Sequence, residues 1–233
     1  MLSLLFIGFL IGMRHALEAD HVAALASLAS NTPSLKSAIK QAAAWGAGHT
    51  LTLLIFGSLV ILTDSVISEN LASALEFAVG IMLVILGLDV IRRMMKDKVH
   101  FHSHQHDDMQ HFHAHRHNNE SVHNPEKHQH SHNKSFPRKA LFIGLMHGMA
   151  GSAALILLTL QATTSPLTGI LYILLFGTGS ILGMAALSII IAIPLKYSAL
   201  SLTWANNSFQ CAIGIATVAL GSTLIYDIGI NYI

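Results

Sequence analysis

The first apolar segment of the chain contains a compact run of ionisable side chains. Residues 14–21 read Arg-His-Ala-Leu-Glu-Ala-Asp-His, whereas most other positions between 1 and 30 are apolar. A charged side chain near the centre of a bilayer costs roughly 2.5–3.5 kcal/mol on insertion scales. Imidazole nitrogen and carboxylate oxygen form a ligand set for divalent transition-metal ions. Because unpaired charges here would be costly, we expect a metal site formed by His15, Asp20 and His21.

The spacing of these ligand candidates does not suit a straight helix. At about 100° per residue, His15 and Asp20 lie about 140° apart, and His15 and His21 lie about 120° apart. The sequence therefore predicts a kink or an unwound stretch between Gly12 and His21, unless the side chains have separate roles. A break inside a membrane segment is tolerated where the freed backbone groups meet protein or water.

Arg14 and Glu18 are expected to support this site as an i,i+4 ion pair. In the simpler alternative, this pair forms and the two histidines only make hydrogen bonds to neighbouring helices. The cost of ionisable groups inside a membrane favours the metal site over that alternative.

The composition predicts an all-α polytopic membrane protein. Hydrophobic residues occupy 52% of the 233 positions and charged residues 11%, against about a quarter charged in a soluble domain. A helix needs about 20 residues to cross the hydrocarbon core, and no alternating β-barrel pattern is visible. Six segments are long enough, and these are about 2–29, 38–62, 70–92, 138–160, 167–193 and 207–227.

The charges between these spans predict an orientation. One side carries nine cations, namely Lys36, Lys40, Arg92, Arg93, Lys96, Lys98, Arg138, Lys139 and Lys196. The short loops of the other side contain no Lys or Arg. The positive-inside rule therefore places the first side, including the loop between spans 3 and 4, in the cytoplasm and both termini outside.

Three motifs recur in the same order in the two halves of the chain. IGMRH at 11–15 matches IGLMH at 143–147, WGAGH at 45–49 matches FGTGS at 176–180, and AVGI at 78–81 matches AIGI at 212–215. Three spans per half would make the second half inverted, as is common in secondary transporters. We therefore expect two inverted three-helix repeats, at 1–95 and 138–233.

The repeat adds candidates to the site. His15 becomes the equivalent of His147, and His49 becomes the equivalent of Ser180. We therefore include His49 and His147 as predicted metal ligands, although either one could instead be a hydrogen-bonded core residue. Asp20 corresponds to Ser152, so the first half supplies the charge, and the two serines are supporting residues.

A histidine-rich segment separates the two halves. Residues 100–132 contain 12 histidines among polar residues that cannot bury a core, so the loop 96–137 is predicted to be disordered. Imidazoles at His-x-His spacing can converge on one ion, with affinity in the general order for divalent metals. An inert or pH-responsive linker is the alternative. The predicted accessory ligands are His100, His102, His104, His106, His111, His113, His115 and His117.

Residues 15–21 resemble the His-x4-Asp-His signature of the nickel/cobalt transporter family. Residues 14–22, together with GLMHGMAGS at 144–152, are most similar to its urease-accessory, UreH-type membrane branch. The resemblance implies a multi-pass inner-membrane protein that moves Ni²⁺ or Co²⁺ as its substrate, with no resident cofactor and no nucleic-acid partner. It also implies an indirect link to urease or hydrogenase maturation. His15, Asp20 and His21 match the family's metal positions, and His49 falls where similar proteins carry a Gly-His motif.

The UreH-like motifs favour uptake of nickel. Six spans with a histidine-rich central loop are also similar to family members that export metal, so efflux by proton antiport is the alternative. In both cases ion gradients or the membrane potential must supply the energy, since no nucleotide-binding loop is present. We expect rocking of the two repeats to switch access to the site.

A metal buffer or sensor that uses only the histidine-rich loop is an alternative of another class. An enzyme is not expected, because the chain lacks a His-Glu-x-x-His motif. Cys211 is the single cysteine, which excludes an internal disulfide framework and a thiolate metal site.

Overall fold

The computed structural model of the chain describes residues 2–30, 32, 34–63, 68–96, 100–106, 109–115, 137–150, 165–201 and 203–231. This part of the chain folds into seven α-helices and one two-stranded hairpin. The helices are α1 (Leu2–His15), α2 (Ala19–Ala29), α3 (Leu35–Thr63), α4 (Glu69–Lys96), α5 (Arg138–Ala150), α6 (Pro166–Ser201) and α7 (Thr203–Asn231).

The lengths and compositions of these helices confirm a multi-pass membrane protein. Within the described ranges, α3, α4, α6 and α7 are each long and apolar enough to cross a bilayer. Helices α1 and α2 make a fifth candidate if they are counted as one bent span. Helix α5 ends at Ala150, and the rest of the predicted fourth span lies outside the described residues.

The first span is broken, as its polar spacing predicts. Helix α1 ends at His15, helix α2 begins at Ala19, and the two axes differ by 56°. The backbone N–H of Leu17 donates to the carbonyl of Arg14 at 2.9 Å, and that of Glu18 donates to the carbonyl of His15 at 3.1 Å. These turns satisfy two of the donors at the break, and Asp20 Oδ1 accepts from the backbone N–H of His21 at 2.8 Å, which lowers the backbone cost of the break.

Glycine allows the helix backbones to touch. Helix α1 packs on α6, α3 packs on both α5 and α6, and α4 packs on α7. A Cβ added to Gly12 would collide with the carbonyl of Phe176, and one added to Gly144 would collide with the carbonyl of Trp45. Small residues at such positions let membrane helices approach closely.

Helix α2 is fixed to the last helix by polar contacts. The hydroxyl groups of Ser27 and Thr217 lie 3.1 Å apart, and both side chains are buried. Thr217 also donates to the carbonyl of Ile213 at 2.7 Å. Because a buried hydroxyl needs a partner, this pair fixes the position of α2 relative to α7.

The histidine-rich segment departs from the prediction of complete disorder. Its strands β1 (His100–His106) and β2 (Met109–His115) pair antiparallel, with His102 opposite His113 and His104 opposite His111. A polar sequence without a core can still pair its backbone groups within a hairpin.

We expect Gly144→Ala to destabilise the protein, since the added methyl group would meet the backbone of α3. Overpacking of this kind costs about 1–3 kcal/mol, and the apparent Tm in detergent should fall. Gly229→Ala is the matched control, because no atom lies within 4 Å of its added Cβ. Equal Tm values for the two variants would contradict the close helix contact.

Candidate metal centre

The break between α1 and α2 turns two histidines toward one point. His15 is the last residue of α1 and His21 lies in the first turn of α2. Both side chains are buried, and their ring centroids lie 4.3 Å apart. A straight helix would separate them by about 120°, so the break is what brings them together.

Two further helices each add one imidazole. The ring centroid of His49, on α3, lies 5.2 Å from that of His15. The ring centroid of His147, on α5, lies 4.3 Å from that of His21. Both are buried. The structure therefore places all four histidines predicted within the membrane in one cluster, which we call the histidine cluster: His15, His21, His49 and His147.

Two ring nitrogens of the cluster face each other at the spacing of metal ligands. The Nε2 atoms of His15 and His49 lie 3.3 Å apart. Two nitrogen ligands at about 2.05 Å from a tetrahedral ion would lie about 3.3 Å from each other. This pair therefore fits either a shared proton or a shared divalent ion.

Two carboxylates orient the imidazoles from the opposite side. Glu18 Oε1 lies 2.8 Å from His15 Nδ1, and Asp20 Oδ1 lies 3.0 Å from His21 Nδ1. The second oxygen of Asp20 lies 3.0 Å from His147 Nε2, and the His21 backbone N–H donates to Asp20 Oδ1 at 2.8 Å. A carboxylate on one ring nitrogen fixes the ring orientation and strengthens the other nitrogen as a ligand.

The predicted Arg14–Glu18 ion pair is wrong. The break moves Glu18 out of the α1 helix, so the i,i+4 geometry on which the pair depends is lost. Glu18 contacts the imidazole of His15 instead. Arg14 is exposed, and no ion pair to it is found among the described residues.

Several buried polar atoms around the cluster have no hydrogen-bond partner in the described structure. A buried donor or acceptor without a partner costs roughly 1–3 kcal/mol, and a bound ion would satisfy a free imidazole nitrogen. The donor set therefore fits a metal ion. The atoms concerned are His21 Nε2, His49 Nδ1, His147 Nδ1, Trp45 Nε1 and Ser180 Oγ.

The five predicted ligands form two overlapping groups. His15, His21 and His49 each offer a ligand atom within 4.8 Å of the others. The same is true of Asp20, His21 and His147. His21 belongs to both groups, so the predicted ligands form one continuous site.

Two aromatic rings close the site, and the sequence reasoning missed both. The Trp45 ring stacks on His21, with ring centroids 5.3 Å apart, and meets His147 edge-on at 5.5 Å. Phe176 lies 5.2 Å from His15. The internal repeat could have identified them, because Trp45 and Phe176 occupy the same first position in the two copies of the repeated motif.

The structure describes some of the other predicted site residues, while others lie outside the described ranges. Ser180 is fully buried on α6, whereas Ser152 lies outside the described residues. The histidines between 100 and 115 lie on β1 and β2, and His117 lies outside the described residues. Whether these loop histidines bind metal stays a prediction.

The chain is similar over almost its whole length to a curated protein. It is 37% identical over 232 residues to the urease accessory protein UreH of Bacillus sp. strain TB-90, and the match covers 99% of this chain and 94% of that protein. The model of the family described as Cytochrome C biogenesis protein transmembrane region matches residues 3–223. No solved structure matches significantly.

More distant similarity connects the chain to two plant proteins. The chloroplast proteins FOR GROWTH AND FERTILITY 1 and 2 of Arabidopsis thaliana are 28% and 26% identical to it, each over 91% of this chain. The chain spans 57% and 55% of their lengths. The UreH match confirms the predicted resemblance. The chain belongs to the family described as Cytochrome C biogenesis protein transmembrane region and to the family of the urease accessory protein UreH.

Proposed function

We propose that the protein is a secondary transporter whose substrate is Ni²⁺ or Co²⁺, with nickel uptake into the cytoplasm as its main activity. The observation that carries this proposal is the burial of four imidazoles in one cluster, with two carboxylates in contact with three of them. Imidazole and carboxylate ligands suit these ions. The similarity to a urease accessory protein supports a role in supplying metal for urease.

The site is proposed to use its residues in distinct roles. His15, His21 and His49 form one group of ligands, and Asp20, His21 and His147 form a second group, while Glu18 holds the His15 ring in position. Asp20 also supplies negative charge beside a dication. Outer carboxylates of this kind change metal affinity by about 10–100-fold.

We propose that six spans form two inverted repeats, and the directions of packed helices support this. In an alternating six-span chain, the first and fifth spans run parallel, as do the second and fourth. Along each helix pair, the residue numbers of both partners rise together from one close contact to the next. On α1 and α6 the contacts are Gly8 with Tyr172 and Gly12 with Phe176. On α5 and α3 they are Gly144 with Trp45 and Gly148 with His49. Helices α1 and α6 are therefore parallel, and so are α3 and α5.

The internal repeat also relates these contacts to one another, because each contact has an equivalent formed by the matching residues of the other half. Gly12 meets Phe176, and their equivalents Gly144 and Trp45 meet each other. On α4 and α7, the equivalent pairs also exchange partners: Gly80 with Gly221, and Gly87 with Gly214. A two-fold relation between inverted halves would produce this pattern, as in many secondary transporters.

The basic loops are proposed to face the cytoplasm, by the positive-inside rule. The site then lies in the cytoplasmic membrane with both termini outside. Two positive charges that move inward gain roughly 4.6 kcal/mol per 100 mV of inside-negative potential. This energy drives uptake, whereas efflux would need a counter-ion such as the proton.

The helix packing favours a motion other than the rocking of the two repeats that the sequence suggests. In the part of the chain that the structure describes, the largest helix interfaces all join one proposed repeat to the other, so rocking of whole repeats would break them. Helices α1, α3, α5 and α6 form one group, and the α4–α7 pair has fewer contacts with it. Helix α2, which carries Asp20 and His21, contacts both. We propose that movement of α2 with the α4–α7 pair switches access.

Trp45 and Phe176 are proposed to close the site on opposite sides. Trp45 precedes His49 by four residues, about one turn, on α3. Phe176 precedes Ser180 by the same interval on α6. Contacts of Gly46 with Ile181 and of Gly177 with Thr50 make α3 and α6 antiparallel. In the proposed orientation, Trp45 therefore lies toward the cytoplasm and Phe176 toward the outside.

The family description does not favour a thiol-redox function for this chain. Exchange between a dithiol and a disulfide within one chain needs two cysteines. The chain contains only Cys211. The histidine cluster is therefore the better guide to its chemistry.

Substitution of the site tests the proposal directly. We expect Asp20→Asn and His21→Ala to lower the initial rate of ⁶³Ni²⁺ uptake into cells by about 10–100-fold, because each removes a group that holds or orients the ion. Asp89→Asn is the matched control, since Asp89 pairs with Arg93 outside the histidine cluster. Unchanged uptake in both site variants would refute the proposed pathway, and faster loss of ⁶³Ni²⁺ from wild-type cells would reverse the direction.

Deletion of residues 100–132 separates transport from buffering. A transporter that uses the histidine cluster should still accumulate ⁶³Ni²⁺ in the cell after this deletion, because all five site residues remain. A buffer or sensor that relies on the loop would lose its effect. Loss of accumulation with normal amounts of protein in the membrane would favour the second function.

The aromatic rings can be tested by accessibility. In a Cys211→Ser background, His49→Cys provides one thiol inside the site. We expect Phe176→Ala to admit a charged thiol reagent in right-side-out vesicles and Trp45→Ala to admit it in inside-out vesicles. Reaction from the same side in both variants would contradict the arrangement.

A further inference from the structure

We infer that the histidine cluster holds one divalent ion alternately at two adjacent stations that share the ring of His21. The imidazole station consists of His15, His21 and His49, and the carboxylate station consists of Asp20, His21 and His147. The inference rests on the proposed function and specifies how its site works. Each station has three ligand atoms that lie within 4.8 Å of one another.

The His21 ring has one nitrogen in contact with a carboxylate and one nitrogen free. Its Nδ1 atom lies 3.0 Å from Asp20 Oδ1, and its Nε2 atom is buried with no hydrogen-bond partner in the described structure. The ring centroid lies 4.3 Å from that of His15 and also 4.3 Å from that of His147. The His21 ring is therefore equally close to one histidine of each station.

The stations differ in charge, which gives each a separate role. The imidazole station is built from three neutral ligands, and two of them already face each other at 3.3 Å. The carboxylate station contains Asp20, which bridges His21 and His147. Two dications beside one imidazole would repel each other strongly, so the ion occupies one station at a time.

The stations also belong to different helices. His15 and His49 lie on α1 and α3, whereas His147 lies on α5, and His21 lies on α2 between them. A small movement of α2 would shift the His21 ring from one group to the other.

Trp45 provides a local signal for occupancy of either station. It stacks on His21 and is one of two tryptophans in the chain. In full-length protein with Trp204→Phe, the fluorescence of Trp45 is quenched by Ni²⁺ in the cluster. The His21→Gln variant lacks a ligand of both stations, so metal that it still binds is metal bound by the histidine-rich loop.

The decisive variants remove one station each. His49→Gln removes only an imidazole-station ligand, and His147→Gln removes only a carboxylate-station ligand. We expect each single variant to raise the Kd for Ni²⁺ by less than about tenfold, because the other station still binds the ion, and the double variant to raise it by more than about a hundredfold. Each single variant should nevertheless stop ⁶³Ni²⁺ flux.

Ser188→Ala is the matched control, since Ser188 is a buried polar residue of α6 outside both stations. If a glutamine variant does not fold, asparagine at the same position replaces it. A single variant that weakens binding as much as the double variant would overturn the two stations but leave a single five-ligand site. Failure of the parent protein to bind Ni²⁺ or Co²⁺ would instead refute the proposed function.

Discussion

The break between α1 and α2 is the constraint on which the rest of the structure depends. A continuous helix would point His15 and His21 to different sides. The 56° bend instead turns both imidazoles inward, and Glu18 contacts the Nδ1 atom of His15. Turn hydrogen bonds satisfy the backbone donors of Leu17 and Glu18 at the break, which limits the loss of hydrogen bonding.

Burial of four imidazoles then shapes the surrounding packing. A polar group in an apolar interior is costly without a partner. Asp20 and Glu18 contact three of the four rings. Trp45 stacks on His21, and Phe176 lies 5.2 Å from His15. Glycine contacts between helices bring the backbones close enough for these side chains to meet.

Local geometry was predictable from the sequence, whereas the choice of partners was not. The break follows from the 100° periodicity, and His49 and His147 follow from the repeated motifs. Sequence spacing also suggested that Arg14 would pair with Glu18, but that pair depends on a helix that the break interrupts. Which carboxylate oxygen faces which ring nitrogen depends on four helices converging, and no local pattern contains that information. The covering rings were missed for the same reason.

Among the described residues, every large interface of α1, α3 and α4 is made with helices from the second half of the chain. During biosynthesis, α1, α3 and α4 are therefore translated before these packing partners. Their glycine surfaces lack those partners until α5, α6 and α7 follow, and the group of His15, His21 and His49 lacks His147. Assembly is thus a late event that requires the complete chain, and the long polar segment between the halves allows the second set of helices to insert beside the first.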